Sequence, residues 1–553
     1  MENNNKAFSK FKGSKEIRLG KQTFEFLIDN NFLYIDKTKE IYKLLNNESM
    51  VFLSRPRRFG KSLLVSTLNN IFSGNKKLFE GFYIYDKWDW SKKYPVLHLD
   101  MSTLENSSNQ ELKRDLENTI ETIADMNQIT LNKKTSIKKK FSNLIQELST
   151  STGEKVVVLI DEYDTPILDN INDKKLADDN RRTLEGFYNV LKTNDEYIEF
   201  VLITGISKFA HTSIFSKLNN LTDISLLGNY AMICGIGHDE LEKHCHDHIQ
   251  FLADKEDIGY DEVLAKIDHW YYGYSFDGEN RVFNPYSTLS VLKLGEFSQF
   301  WFKTGTPHFL VDILKNRVEK NVDFKNIILG ENDLNEVNPL NMEVMPLLFQ
   351  GGYLTIDRKF RDESGVVNYS LKIPNFEVEQ AYNDNLRDLY LNKFKDKYLG
   401  IREQLWIDIR NGNCDSLARR LQADISWLPS FLNRGDKYNW KNYETVFLLW
   451  MRIMGFEIRG EKTIKHGRMD GVFEDFDDDH VVIVEVKYSQ DNSKSIDKLV
   501  DEAFGQICRK EYWLPYEGMD VSLMALVFKD EEVDEDTVIT RVRCKIQALK
   551  NKL

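Results

Sequence analysis

MVFLSRPRRFGKS, Met50 to Ser62, joins a short apolar run to a tight loop ending Gly60-Lys61-Ser62, and an apolar-periodic stretch, Leu63 to Phe72, follows at once. Strand, loop and helix in that order form a physical recipe for holding phosphates. The loop and helix N-terminus aim backbone N–H groups inward, the lysine neutralises charge, and the hydroxyl binds Mg2+. A bare Gly-Lys-Ser is common by chance. This one has a second half: KVVVLIDEYD, Lys155 to Asp164, sets Asp161 and Glu162 at the C-terminal end of a β-branched run. Open α/β sheets place their chemistry at such strand ends. In this reading Asp161 holds Mg2+ through water and Glu162 polarises the attacking water. The plainer reading of a paired Asp-Glu is a helix N-cap or a surface turn. It loses ground because two such halves must share one context.

Two further runs, PVLHLDM (Pro95–Met101) and IEFVLITGIS (Ile198–Ser207), have the same β-branched character. Such runs suit strands buried on both faces of a parallel sheet, and the spans between them are long enough for crossover helices. Thr204, closing the last run, is placed to sense a γ-phosphate, although threonine also favours strands for its own reasons. The cluster KKTSIKKK, Lys133 to Lys140, reads as a solvated face. From about Gly228 to Asp436 the pattern is mostly helical, interrupted by YLTID (Tyr353–Asp357) and VNYSLKIP (Val367–Pro374), which read as a hairpin. A winged-helix-like module is the expectation there. Trp270, Tyr271, Tyr272 and Tyr274 offer stacking surfaces for bases, but such density beside an apolar helix favours core packing. In HDELEKHCHDH, His244 and His248 have chelating spacing; without a second ligand cluster, an exposed helix is the better reading.

The chain has 553 residues, with 74 Lys+Arg against 87 Asp+Glu and a formal net charge of −13. That length predicts about three folded units. Hydrophobic residues make up 41 % and prolines number only 10, which excludes a disordered chain. No apolar run approaches the ~18 residues of a membrane span, and the polar start lacks the apolar stretch of a secretory signal. Five scattered cysteines are those expected of a reduced, cytoplasmic protein. Net acidity argues against coating nucleic acid by bulk charge. It does not exclude selective engagement, because RGEKTIKHGR, Arg459 to Arg468, is locally basic.

That basic stretch leads into GRMDGVFEDFDDDHVVIVEVKYS, Gly467 to Ser489. Alternation in VVIVEVK sets Glu485 and Lys487 on one face and Val482, Val484 and Val486 on the other. A turn over Asp475–His480 pairs Glu474 with Val481, which leaves Asp470 opposite Glu485. Opposed carboxylates repel and destabilise a hairpin. A divalent cation reverses the sign, since Mg2+ or Mn2+ prefers hard oxygen ligands. It also activates water and steadies a phosphodiester, with Lys487 placed to balance developing charge. The bland alternative is a surface hairpin with an incidental Glu485–Lys487 ion pair.

The runs YIDKT (Tyr34–Thr38), FLSRPRRFGKS, YPVLHLDMS and VVVLIDEYD, continued by WYYGYSF (Trp270–Phe276) and FNPYSTLSVL (Phe283–Leu292), resemble the bacterial AAA-ATPase-like family of P-loop proteins. Its members commonly carry a C-terminal nuclease-like domain. The resemblance implies the additional-strand class of P-loop ATPases, with Glu162 as catalytic base. It also implies a nucleotide set of Arg57, Arg58, Phe59, Gly60, Lys61, Ser62, Asp161 and Thr204, with Ser62 and Asp161 on the metal. Arg55 stands where the general loop pattern has its first glycine, a departure the family shares. The Asp…Glu-x-Lys hairpin resembles the PD-(D/E)xK nuclease fold. There Glu444, on the preceding helix, completes the metal site with Asp470 and Glu485, and Gln506 resembles the glutamine of the RecB-like subgroup. The tyrosine expected four residues after it is replaced by Lys510, with Tyr512 two positions on.

These readings predict an α/β protein with four segments. Residues 1–30 are a lead-in and 31–228 a P-loop parallel-sheet ATPase domain. Residues 229–436 form a helical, winged-helix-like middle, and 437–553 a restriction-endonuclease-like α/β domain. The expected activity is an ATP- and Mg2+-dependent (Mn2+ at the nuclease site) nuclease gated by nucleotide. Its expected partner is nucleic acid, DNA foremost, in a homo-oligomer or alone and without a membrane, with defence against foreign DNA as the analogous role. The rival is a nucleotide-dependent switch or assembly platform whose nuclease-like domain binds without cutting.

Overall fold

The computed structural model describes residues 15–208, 220–301, 327–335, 344–381, 401–425, 458–464, 467–475, 480–489, 493–516, 518–534 and 537–549, with a few single positions between them. The chain divides into two compact units, residues 1–317 with 322–379, and 318–321 with 380–553. Glu444 lies outside the described residues, as do most of the helical positions expected around it.

The first unit is built on five parallel strands: β1 (Met50–Ser54), β2 (Val96–Asp100), β3 (Val156–Asp161), β4 (Ile198–Gly205) and the short β5 (Thr222–Asp223). Their order is β2-β3-β4-β1-β5, so β4 stands between the strand of the phosphate loop and the strand of the acid pair. All residues of β1 and β3 are buried, as their unbroken apolar runs require. Crossovers are supplied by α3 (Lys61–Phe72), α4 (Asn109–Met126), α5 (Ile137–Thr152) and α7 (Lys174–Thr193), while the single-turn α6 (Thr165–Leu168) follows the acid pair. Ser108 and Asp173 cap α4 and α7 by accepting backbone N–H bonds.

Ahead of β1 lie α1 (Phe24–Asp29) and α2 (Thr38–Asn47). The segment read as a lead-in thus contains folded structure, because Ile17, Phe24 and Leu27 are core residues there. The Phe24 ring packs 4.7 Å from Phe79 and 4.9 Å from Tyr34. Lys140 departs from the solvated-face reading of its cluster. It is 1 % exposed and paired with Glu117 and Glu121 at 2.5 and 2.6 Å, because α4 and α5 lie against each other.

After β5 come α8 (His238–Glu256), α9 (Tyr260–Tyr271) and α10 (Pro285–Leu294), then a small antiparallel sheet of β6 (Ile327–Gly330), β7 (Thr355–Arg361) and β8 (Val367–Lys372) with β8 central. The hairpin is where the sequence places it, its first strand starting two residues later. Cys245 and His248 are buried in α8, and His238 bridges Glu242 at 2.9 Å and Asp268 at 3.1 Å. Tyr271 and Tyr274 are core residues, which resolves the aromatic run toward packing.

The second unit is a five-stranded mixed sheet, order β13-β12-β11-β10-β9, formed by β9 (Ile458–Ile464), β10 (Gly467–Asp475), β11 (His480–Ser489), β12 (Asp520–Asp534) and β13 (Thr537–Leu549). Only β11 and β12 run parallel, joined by the helix Ile496–Lys510. That helix covers one face through Leu499, Val500, Ala503 and Ile507, meeting Val472, Val481 and Ile483. On the other face Phe473, Val482, Val484 and Val486 pack against Leu405, Ile409, Leu417 and Leu421 of the helices Ile401–Arg410 and Cys414–Ile425. No described helix is long and apolar enough to cross a membrane.

Gly205 shows how tightly the first sheet closes at its C-terminal edge. A Cβ at that position would lie 2.5 Å from Tyr163 ring carbons and 2.7 Å from Asp164 Oδ1. Overpacking of this kind costs about 1–3 kcal/mol. Gly205→Ala is therefore expected to lower unfolding stability by that amount, measured by chemical denaturation. An unchanged midpoint with unchanged slope would contradict the close approach.

Candidate functional sites

The phosphate loop turns sharply twice. Arg58 sits at φ +68 and Gly60, the N-cap of α3, at φ +96. The second is a conformation that glycine adopts without strain. Arg55, in the first-glycine position, does not enter the loop's mouth. It is 1 % exposed, its Nη1 donates to the Ser54 and Ser225 carbonyls at 2.9 and 2.7 Å, and its guanidinium lies 3.9 Å over the Phe276 ring. Burial lowers its pKa to about 10. The residue that replaces the glycine is thus an internal staple from β1 to the chain after β5.

Lys61 is buried and folded back on its own loop, donating Nζ–H bonds to the Arg55 and Pro56 carbonyls at 2.9 and 3.1 Å. Ser62 is half-buried in the first turn of α3. The Phe59 ring packs inward against Tyr274 at 4.8 Å and Phe276 at 5.5 Å, so a phosphate can meet only its backbone amide. The Arg58 guanidinium lies 4.8 Å over the Tyr286 ring, and the Arg57 carbonyl accepts from Trp301. Beside Gly60 opens a cavity of about 120 Å3, walled largely by apolar side chains including Ile17, Leu33, Ile35, Leu63, Ile236 and Leu289.

Across β4, Asp161 is 4 % exposed and accepts hydrogen bonds from the Thr204 hydroxyl and, at 3.1 Å, from the Glu162 N–H. Thr204 therefore meets the acid pair directly. Glu162 occupies φ +50, a sparsely populated conformation for a residue with a side chain. Burial raises its pKa above the usual glutamate value, with Lys61 opposing and Asp161 and Asp164 adding to the rise. Asp164 is a residue the motif reading passed over. Fully buried, it accepts from the Ile206 N–H at 3.1 Å, the Ser207 N–H at 2.6 Å and the Ser207 hydroxyl. Its signal in the sequence is the third acid of IDEYD, indistinguishable there from a surface aspartate.

In the second unit the hairpin register is the one the turn implies: Asp475 faces His480, Glu474 faces Val481, Phe473 faces Val482 and Gly471 faces Val484. Asp470, next in line, accepts from the Val486 N–H at 2.8 Å through Oδ2. Glu485, two residues beyond Ile483, continues the face covered by the helix Ile496–Lys510 and is only 4 % exposed. The Gln506 side chain donates from that helix to Glu485 Oε1. Lys487 is half-buried further along the same face. Tyr512, by contrast, is a fully buried core residue. Asp470 and Glu485 are hard oxygen donors fixed by an amide and a glutamine, a set that fits Mg2+ or Mn2+. Among the described residues no group of three His, Cys, Asp or Glu side chains is arranged to hold a metal.

Comparison with known proteins agrees with this division. Residues 18–215 match the model of a predicted AAA-ATPase family, and residues 439–537 that of the PD-(D/E)XK nuclease superfamily. An uncharacterized protein in the vnfD 5' region of Azotobacter chroococcum mcd 1 is 33 % identical over 463 residues, covering 82 % of this chain and 86 % of that protein. The chain belongs to this family of predicted AAA-ATPases with a C-terminal PD-(D/E)XK domain. Among solved structures, the Orc1 protein of Aeropyrum pernix, in complex with DNA, is 11 % identical over 66 % of this chain and 97 % of that one, with a TM-score of 0.26. Cdc6p from Pyrobaculum aerophilum is 9 % identical over 68 % and 96 %, with a TM-score of 0.24. At such scores neither likeness bears on fold or function.

The Arg55 staple makes a checkable statement about this family's loop. Arg55→Met removes the donors of two buried carbonyls, and an unsatisfied buried group costs about 1–3 kcal/mol. The expected result is a loss of that order or more in denaturation experiments, with nucleotide binding weakened in parallel. Weakened binding at full stability would instead mark Arg55 as a phosphate ligand.

Proposed function

We propose that this chain is a nucleotide-regulated, metal-dependent nuclease that cleaves nucleic-acid phosphodiesters, with DNA as the substrate class. The observation that carries it is the hairpin register, which runs to Gly471 facing Val484, with Asp470 just beyond it anchored on the Val486 N–H and Glu485 on Gln506. Two carboxylates so placed are a liability without a cation. Asp470 and Glu485 would hold Mg2+ or Mn2+, with Glu444 as a third ligand. When bound, the ion supplies Lewis acidity and an activated water. Gln506 fixes the Glu485 carboxylate, and Lys487 offsets charge developing on the phosphate.

In the first unit, Lys61 would exchange its two loop carbonyls for the β- and γ-phosphates of ATP. Ser62 and Asp161 would hold Mg2+, Glu162 would act as base, and Thr204 would orient Asp161 and sense the γ-phosphate. Backbone amides from Arg57 to Gly60 would cradle the phosphates, and the apolar cavity beside Gly60 suits a purine base.

Plasmid, linear duplex and single-stranded substrates in Mg2+ or Mn2+, with and without ATP, test both halves. Asp470→Ala and Glu485→Gln are expected to reduce cleavage at least about 100-fold; cleavage unchanged by Asp470→Ala would remove the nuclease assignment. Lys61→Ala is expected to abolish the response to ATP while basal cleavage persists. Binding of nucleic acid without any cutting would favour the switch or platform reading.

Hydrolysis of ATP carries a pH signature. A base must be ionised, and burial raises the Glu162 pKa. The acid limb of the rate profile should therefore lie above that of an ordinary glutamate, with activity falling as pH drops through it. Glu162→Gln should reduce turnover about 10^2–10^4-fold and remove that limb. A limb unchanged in the glutamine variant would show that another group is responsible.

A further inference from the structure

Behind the phosphate loop lies a set of contacts that phosphate binding does not itself need. Trp301 is fully buried and donates twice: its indole Nε1–H to the Arg57 carbonyl at 3.1 Å, and its backbone N–H to Glu377 Oε1 at 2.7 Å. Glu377 is fully buried as well, and burial raises its pKa to about 7. A buried carboxyl depends on its hydrogen bonds, and the Trp301 N–H supplies one of those that hold Glu377, with Ser287 and the Phe300 N–H. There is no slack around the indole. Gly352 lies at φ +88, and a Cβ there would sit 2.8 Å from a Pro56 side-chain atom and 3.2 Å from the Trp301 ring.

A second line of contact runs in parallel. The Phe59 ring meets Tyr274 edge-on, and Trp270, four residues earlier, meets Phe376 edge-on at 4.8 Å. Between them Gly273, at φ +121, lets the Pro374 carbonyl approach to 2.3 Å from where a Cβ would be. Both lines end in residues 374–377. Residues 376–381 are helical, and within that helix, after Glu379, the chain passes from the first unit into the second.

Lys61 bonds to the Arg55 and Pro56 carbonyls; in the nucleotide-binding reading it would exchange them for a phosphate, which gives the loop two states. Leaving those carbonyls changes the peptide next to Arg57, whose own carbonyl is held by the indole. Coupling needs such a differential contact at one end and a connected element at the other.

We propose that Trp301 and Glu377 are positioning residues that transmit occupancy of the phosphate loop to the 376–381 helix, and so along the chain toward the nuclease unit. This inference rests on the nucleotide-binding reading and specifies how that site would regulate. Sequence pattern does not show it, since Trp301 and Glu377 lie in no motif.

The test is hydrogen exchange on the full chain, with and without a non-hydrolysable ATP analogue and Mg2+, alongside equilibrium binding of the analogue to the same preparations. In the wild type, the analogue is expected to change exchange of the 376–381 amides by about fivefold or more, the scale of one net hydrogen bond. Trp301→Phe, which keeps the ring and loses the N–H, should bind the analogue within about threefold of wild type and lose that response. Glu377→Gln, which keeps an acceptor for the Trp301 N–H, should retain it. Glu377→Ala should lose it, and serves if Trp301→Phe does not fold. Binding without any change at 376–381, or a full response in both Trp301→Phe and Glu377→Ala, would overturn the proposal. Failure of the wild type to bind the analogue would overturn the nucleotide reading and this inference together, and the binding measurement separates the two cases.

Discussion

One strand governs the geometry of the first unit. Because β4 is inserted between β1 and β3, the phosphate loop and the acid pair stand about two strand spacings apart, roughly 9.5 Å. Helix α3 reaches across to β3, and the loop's mouth and the acid pair are separated by the end of β4. Thr204 occupies that end and bonds to Asp161, and the chain just beyond it is held by Asp164. Whatever joins Lys61 to Glu162 therefore rests on a platform whose position is set by buried hydrogen bonds.

The second unit solves a related problem by other means. Its carboxylates are drawn from two strands of one hairpin, so their placement follows from register, and register depends on which side chains face each core. Sliding β11 by one residue would swap its valines between the two cores and turn Glu485 and Lys487 onto the face where Val482, Val484 and Val486 now fill an apolar core, an unpaired-charge cost that opposes the slip. The same apolar residues that stabilise the unit thus set the strand positions of Asp470 and Glu485.

Much of this was legible in the sequence, for reasons that also explain what was not. Unbroken apolar runs identified β1, β3 and β4, and the period of two in VVIVEVK, with a turn over Asp475–His480, gave the pairing of Glu474 with Val481. Gln506 came from resemblance, and the structure places it on Glu485. Strands β9 and β13 escaped. Both are edge strands with charged or alternating sequences, and the locally basic stretch leading to the hairpin is largely β9 itself. Lys140 was misjudged because a local charge run does not reveal the two glutamates a neighbouring helix brings to it. Arg55 reads as an awkward loop residue until Ser225, remote in sequence, is seen to receive it. Each failure concerns a long-range partner, which periodicity and spacing do not encode.

The Arg55 staple has a thermodynamic consequence. Loops that close on phosphate usually surrender conformational freedom when they do so. Here the loop is tied at Arg55 from within, at Arg57 by an indole, and at Lys61 to its own carbonyls. Contacts of this kind restrict the loop on folding. Occupancy then trades one set of polar contacts for another, so the heat of binding rather than its entropy should carry the affinity.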